Sequence, residues 1–437
     1  MKVRLSLALA ALLAGAASAR AQGTFDNYVA VGDSLTAGFS SGSLVRTHQA
    51  NSYPALIALQ AGATSFEQPL VSEPGIPAEL ALVSLTPGPV IAPKFPSPGA
   101  PVNTQVPRPY NNLGVVGASS VDSLTTTTGG FHDLVLRGMG TAVQQAVAAR
   151  PTFLTLWIGS NDVLGAAVNG QAIDGVTLVP AATFRQAFTQ IVAALRTTGA
   201  PIVAANLPDV TSIPFVTTIP PVVVNTATRE PVLVNGLPVA LVGPNGPLPT
   251  GTFVTLGASP LLARGIGIPA GLGGQGTPLP DEVILDPAEV ATIRDRVAAN
   301  NRAIAEICGA AGIPVLDVNA LLAEFAGPGR DVGGVTLTSG FLTGGIFSYD
   351  GIHLTDLGYA ILANEWIALI DRSGARLPLV NLAPYLGLDS RARRAGGVAA
   401  SGGGRHARPP NPPAVELSQE AVDTLRALFP PMRGRVH

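Results

Sequence analysis

Charge is what this chain has least of. Asp, Glu, Lys and Arg make up 12% of its 437 residues, about half the share of an ordinary soluble domain. With 26 basic and 28 acidic residues the net charge is -2. Phosphate backbones are held by a concentrated basic face, so this balance speaks against nucleic acid as a partner. The single cysteine, Cys308, excludes an intramolecular disulfide. It lies in a helical pattern, Ala303 to Ala310, and reads as a small core residue rather than a catalytic thiol. His48, His132, His406 and His437 have no metal-ligand spacing, so neither a metal nor any other cofactor is expected. Gly271 to Gly276 matches a dinucleotide-binding pattern, but no strand leads into it and prolines follow, which makes it a loop.

Hydrophobic residues supply 47% of the chain, enough for a large core. At the N-terminus Lys2 and Arg4 precede an apolar stretch, Leu5 to Ala16, and a small-x-small site at Ala19-Arg20-Ala21. That arrangement reads as a secretory leader over 1–21, and its apolar run is too short to span a bilayer. The expected destination is export, periplasmic or extracellular, with no membrane span once the leader is removed.

Behind the leader, apolar strand runs alternate with helical stretches. Tyr28 to Val31, Leu113 to Val116, Phe153 to Ile158, Ile202 to Ala205 and Pro314 to Leu316 read as five strands. Helices are expected after Ser52 and Pro54, through Val143 and Val147, and over Ala181 to Arg196, Pro287 to Ala311 and Thr355 to Ile370. Such alternation predicts an α/β protein, a three-layer α/β/α sandwich on a central parallel sheet.

The 50 glycines and 39 prolines cluster, and the clusters mark long loop insertions at about 68–108 and 208–280 within a main domain spanning 22–388. The second insertion leaves the carboxyl edge of the sheet, where ligands bind in open α/β folds. It is nearly uncharged from Thr211 to Ala263 and reads either as a lid or substrate cover or as a purely structural β-rich embellishment, with a hairpin expected between Pro231 and Val242. Residues 389–416, rich in Arg, Gly and Pro, read as a flexible linker. The 417–437 tail would carry a short amphipathic helix capped by Ser418 and showing Val422, Leu425 and Phe429. It is expected to be accessory.

The reactive residue types all fall just after strands. Ser34 follows the first, Gly117 the second and Asn161 the third, and Asp350 with His353 lies beyond the fifth. A serine at a strand end, with a carboxylate and an imidazole elsewhere, is the inventory for nucleophilic acyl transfer. Gly38 to Gly42 also matches the Gly-x-Ser-x-Gly elbow, but the Ser34 block already occupies the position directly after the strand.

Four blocks carry a closer resemblance. Gly32-Asp33-Ser34-Leu35, Asn112 to Gly117, Ile158-Gly159-Ser160-Asn161-Asp162 and Asp350-Gly351-Ile352-His353 occur in that order. The chain resembles the SGNH superfamily of GDSL-type esterases and lipases over residues 25 to 371, insertions and tail excepted. The resemblance implies a flavodoxin-like SGNH hydrolase fold. It also implies Ser34 as nucleophile, His353 as general base and Asp350 as the residue orienting the imidazole. The oxyanion would be held by the backbone N–H groups of Ser34 and Gly117 and the side-chain amide of Asn161. Asp33, Asp162 and Asp356 are expected to be structural.

The function expected is an exported serine hydrolase that cleaves carboxylic esters through an acyl-enzyme. Its partner would be a small-molecule or lipid ester, the apolar cover favouring acyl chains. Two alternatives stand beside it, a carbohydrate O-acetylesterase and a non-catalytic binding or surface module on the same fold. Aromatics at 5% weigh against a sugar site, and the presence of all the reactive residues weighs against a binding module.

Overall fold

In each central strand, alternate side chains enter two different cores, and this positions everything else. The structure, a computed structural model, describes residues 24–85, 88–225, 228–387 and 415–431. The expected leader, and the expected linker up to residue 414, lie outside the described residues.

Strand β1 (Tyr28–Gly32) is buried throughout. Tyr28 and Ala30 face one core, Val29 and Val31 the other. It is flanked by β2 (Asn112–Gly114) and β3 (Phe153–Trp157), and β4 (Ile202–Ala205) and β5 (Val315–Leu316) complete the sheet. Every pairing is parallel and the order is β5-β4-β3-β1-β2. This is the doubly wound order whose direction reverses between β1 and β3, the place where such sheets open a crevice at their carboxyl edge. The second strand is shorter than expected from Leu113 to Val116. After the Val115 N–H bonds to the Gly32 carbonyl at 3.0 Å, β1 has ended and the chain has no partner left.

The helices that matter for the layers and the site are α1 (Ser34–Ala37), α2 (Tyr53–Ala61), α3 (Ala142–Ala148), α4 (Asn161–Asn169), α5 (Ala181–Arg196), α6 (Pro287–Ala311), α7 (Val318–Ala326), α8 (Asp356–Asp371) and α9 (Gln419–Leu428). Helices α3, α5 and α6 pack on the Val29–Val31 face through Val143, Phe184, Phe188 and Ile293. Helices α2 and α8 cover the opposite face with Tyr53, Ile57, Trp366 and Ile370, and the Tyr53 and Trp366 rings stack at 5.2 Å. Three layers result, as expected.

Side-chain caps set several of these boundaries. Ser52 accepts from the Ala55 N–H at the head of α2, and Asp286 and Glu289 form a reciprocal capping box on α6. Thr355 accepts from the Gly358 N–H to start α8. Each such cap is worth about 1 kcal/mol, and each fully buried large apolar side chain about 1.5–3 kcal/mol. Packing therefore dominates, with caps deciding where each helix begins.

The 68–108 insertion carries an antiparallel hairpin, Leu80–Ser84 with Val90–Pro93. The C-terminal strand Glu416–Leu417 pairs with it in parallel. The 208–280 insertion has a small core of its own, with Val223, Leu241, Val254 and Leu279. Its hairpin, Leu233–Val234 with Leu237–Pro238, falls where the Val-Leu-Val spacing placed one. Among the described residues no helix is long and apolar enough to cross a membrane.

Candidate active site

Ser34 is delivered by the abrupt end of β1. A Cβ on Gly32 would lie 2.0 Å from Thr36 Oγ1 and 2.4 Å from the Trp157 carbonyl oxygen, so only glycine lets α1 fold back so tightly. Asp33 Oδ1 accepts the Leu35 N–H at 3.0 Å and caps the short helix. The Thr36 hydroxyl and Tyr53 Oη share a buried hydrogen bond of 3.0 Å beneath it.

The other half arrives from the turn before α8. Asp350 Oδ1 accepts the N–H groups of Ile352 and His353, both at 2.8 Å. Its Oδ2 accepts the Gly42 N–H at 2.8 Å and bonds His353 Nδ1 at 2.9 Å. His353 Nε2 lies 2.9 Å from Ser34 Oγ. The three expected residues are thus joined in one hydrogen-bonded line. Burial alone would raise the Asp350 carboxyl, but the His353 charge and this set of donors outweigh it and hold the group at about 2. An ionised carboxylate only accepts, so the Nδ1 proton points at Asp350 and Nε2 is free to take the proton of Ser34.

Gly117 and Asn161 sit on the same edge. Gly117 has φ +79°, a left-handed conformation that costs glycine nothing. Gly114, the neighbouring glycine, spends its N–H on Asn112 Oδ1 at 2.9 Å. The N–H groups of Ser34 and Gly117 meet no acceptor among the described residues. Asn161 donates one amide hydrogen to the Ala118 carbonyl at 2.9 Å, which orients the group and leaves its second hydrogen for a ligand.

Two further carboxyls stand behind this edge. Asp162 accepts from the Ser120 N–H at 2.8 Å and its hydroxyl at 2.6 Å, tying the Asn161 helix to the Gly117 loop. Burial raises Asp162 to about 7 despite those bonds, with Asp122 and Asp33 adding repulsion. Burial likewise raises Asp33 to about 6, against the Leu35 N–H and the His353 charge. By their hydrogen bonds Asp33 caps α1 and Asp162 braces the Gly117 loop, in line with the local roles that their positions in the motif suggested. Half-buried His48 bonds Asp356 at 2.7 Å and Glu79 at 3.1 Å. Its burial would lower its pKa, but these two carboxylates win and raise it to about 9. Asp356, read from sequence as a helix-start residue, is thus also an ion-pair partner.

The cover differs from the one expected. The second insertion does reach the site, since the Phe215 N–H donates to the Gly351 carbonyl at 2.8 Å. The residues directly over His353 come from elsewhere. Phe39 meets the imidazole edge-on at 4.8 Å, and Phe429 of the tail stacks on it at 6.0 Å and 24°. The tail, expected to be accessory, thus packs against the site. An apolar face at Val422, Leu425 and Phe429 was readable in the sequence, but its destination was not.

Ser34 and His353 retain only 3% and 1% of their exposure. Beside them, and not lined by the three reactive side chains, is an apolar cavity of about 70 Å³. Leu35 and Ile352, the chain neighbours of Ser34 and His353, form part of its wall with Trp157, Ile213, Phe325 and Leu362. Among the described residues no cluster of His, Cys, Asp and Glu is arranged to hold a metal.

The model of the GDSL-like Lipase/Acylhydrolase family matches residues 28–366, and the chain belongs to that family. It is similar to the crystal structure of the lipase/acylhydrolase from Enterococcus faecalis, at 14% identity and a TM-score of 0.34. That likeness covers 81% of this chain and 98% of the other. It is also similar to a G-D-S-L family protein from Desulfitobacterium hafniense DCB-2, at 12% identity and a TM-score of 0.34, covering 78% of this chain and 98% of that one. No curated protein matches the chain.

Proposed function

We propose that this family member is an exported serine esterase that cleaves acyl-chain or lipid esters through an acyl-enzyme at Ser34. The observation that carries the reading is the continuous line from Ser34 Oγ through His353 to Asp350, with 2.9 Å at each link. A serine hydroxyl is a poor nucleophile until a base takes its proton. His353 Nε2 is placed to do so as Oγ attacks the ester carbonyl, and Asp350 stabilises the imidazolium that forms.

The resulting oxyanion would be held by the Ser34 and Gly117 N–H groups and the Asn161 amide. Pre-oriented donors at the site of developing charge are commonly the largest catalytic term. His353 then returns the proton to the leaving alcohol, and the acyl group stays on Ser34. In the second half the same imidazole deprotonates water, which attacks the acyl-enzyme and releases the acid and the free serine.

The acyl preference is supported by the apolar cavity behind Leu35 and Ile352, because such a wall rewards methylene burial and offers nothing to sugar hydroxyls. Export rests on the leader pattern alone, and N-terminal sequencing of protein recovered outside the cytoplasm should begin near Gln22.

Labelling with a fluorophosphonate tests the nucleophile. Wild type should be modified at Ser34, and Ser34→Ala should not react while keeping its melting temperature. No labelling of folded wild type would refute the enzyme assignment. Hydrolysis rates across p-nitrophenyl esters of rising chain length, beside an acetylated polysaccharide, test the substrate class. Preference for the polysaccharide would favour the O-acetylesterase alternative.

A further inference from the structure

We propose that residues 415–431 form an intrachain cover that holds the ester site closed, and that this segment must leave before substrate reaches Ser34. The proposal rests on the serine-esterase reading for what is being covered. Its own support is where the C-terminal segment lies.

Helix α9 turns its apolar side inward. Leu417, Ala421, Val422, Leu425 and Phe429 are all at most 4% exposed. Phe429 stacks on the His353 imidazole, and Leu428 joins the cluster of Phe39, Leu44 and Val116 beside the nucleophile. On the oxyanion side, a Cβ built on Gly117 would lie 3.0 Å from the Leu428 carbonyl oxygen. One short stretch thus lies against the base and the oxyanion loop together, and Ser34 between them is 3% exposed. An ester carbonyl needs both places, so substrate and cover compete for the same space.

The attachment is mainly apolar. Polar anchoring is sparse for a segment of this size. The Glu416 and Ser418 N–H groups donate to the carbonyls of Pro89 and Ile91 at 2.9 and 2.8 Å. Asn169 Nδ2 donates to the Phe429 carbonyl at 3.0 Å, and Arg426 reaches the Glu282 carbonyl at 3.3 Å. Beyond these and the parallel pairing of Glu416–Leu417 with Val90–Ile91, the segment is held among the described residues mainly by apolar contact, which an acyl chain can replace in kind. Because cover and site share one chain, re-docking is intramolecular and governed by an effective concentration. Neither β1 nor α8 depends on α9 for its own hydrogen bonds, so the triad can persist while the cover is away.

The full-length chain tests this. Leu425→Asp places an unpaired charge on the buried face. Ser418→Ala removes the α9 cap, whose side chain accepts the Ala421 N–H at 3.1 Å, and should shift closing about fivefold. Rates of Ser34 labelling by a small fluorophosphonate should rise at least about tenfold for Leu425→Asp and about fivefold for Ser418→Ala. Equal or slower labelling in both variants overturns the cover. If Leu425→Asp proves unfolded by circular dichroism, the milder Ser418→Ala decides.

Hydrogen exchange in the wild type gives a second readout that needs no chemistry. Amides of 419–428 should exchange well ahead of those of α8, through a local opening. Exchange only together with α8 would overturn the proposal. Failure of any protein to label, with early exchange of 419–428 still seen, would remove the serine-esterase reading and leave a mobile C-terminal cover in place.

Discussion

Asp350 and Asp162 are equally buried, each with no measurable exposure, yet they titrate in opposite directions. Asp350 is held at about 2, whereas Asp162 is raised to about 7. Burial penalises both carboxylates alike, so the difference lies in what surrounds them. Asp350 faces a potential cation, His353, and accepts from Gly42, Ser348, Ile352 and His353. Among the described residues the Asp162 carboxylate accepts only from Ser120, and it stands near two other carboxyls. Donor count and the sign of the nearest charge, not depth, decide which carboxylate can orient a base and which can only brace a loop.

Breaking the stronger of the two should have the largest effect. Asp350→Asn keeps the shape but loses the acceptor that selects the imidazole tautomer, and kcat for a short ester should fall about 10⁴-fold. A loss below tenfold would mean that Asp350 does not orient His353. On the Asp162 side, the side chain that matters for rate is its neighbour. Asn161→Ala should lower kcat by roughly 10²–10³ with little change in melting temperature. An unchanged kcat would remove Asn161 from the oxyanion site.

The opposite shifts predict opposite pH dependences. Asp350, depressed from 3.8 to about 2, contributes stability that is present above pH 4 and lost as pH falls toward 2. Asp162, raised from 3.8 to about 7, makes the folded state bind the extra proton, so stability declines as pH rises from 4 through 7. Melting curves of Asp162→Asn should be flatter than wild type across pH 4–7. An identical slope in both proteins would contradict the Asp162 assignment.

The smallest effect belongs to His48, a third environment in which partly exposed carboxylates hold a cation. Its pKa is raised from 6.5 to about 9, so its contribution is full below pH 6.5 and lost as pH rises through 9. His48→Gln should destabilise by about 1 kcal/mol or less at pH 6, and the difference from wild type should vanish at pH 10. Equal destabilisation at both values would point to packing rather than charge.

Much of this architecture was legible before any coordinates. The five central strands and the limits of α5 follow from apolar runs, and the start of α6 from its Asp286–Glu289 capping box, all local signals. Ser34, Gly117 and Asn161 were legible because each comes soon after a central strand, whereas Asp350 and His353, separated from β5 by α7 and a hairpin, were legible from their residue types and spacing. The exceptions have one cause. The early end of β2, the Ser120–Asp162 clamp and the His48 cluster depend on partners far along the chain, which periodicity does not identify.

The tail makes the same point at larger scale. An apolar face on α9 can be read from Val422, Leu425 and Phe429, because a 3.6-residue repeat is a property of the helix itself. What that face covers depends on where β1 ends, where the hairpin of 68–108 offers an edge, and where His353 comes to rest. Local pattern thus specified the layers, the order of reactive blocks and the serine-hydrolase inventory. Long-range packing settled the joining of Ser34 to His353 across 319 positions, the opposite fates of two buried aspartates, and the placing of α9 and Phe429 beside the site.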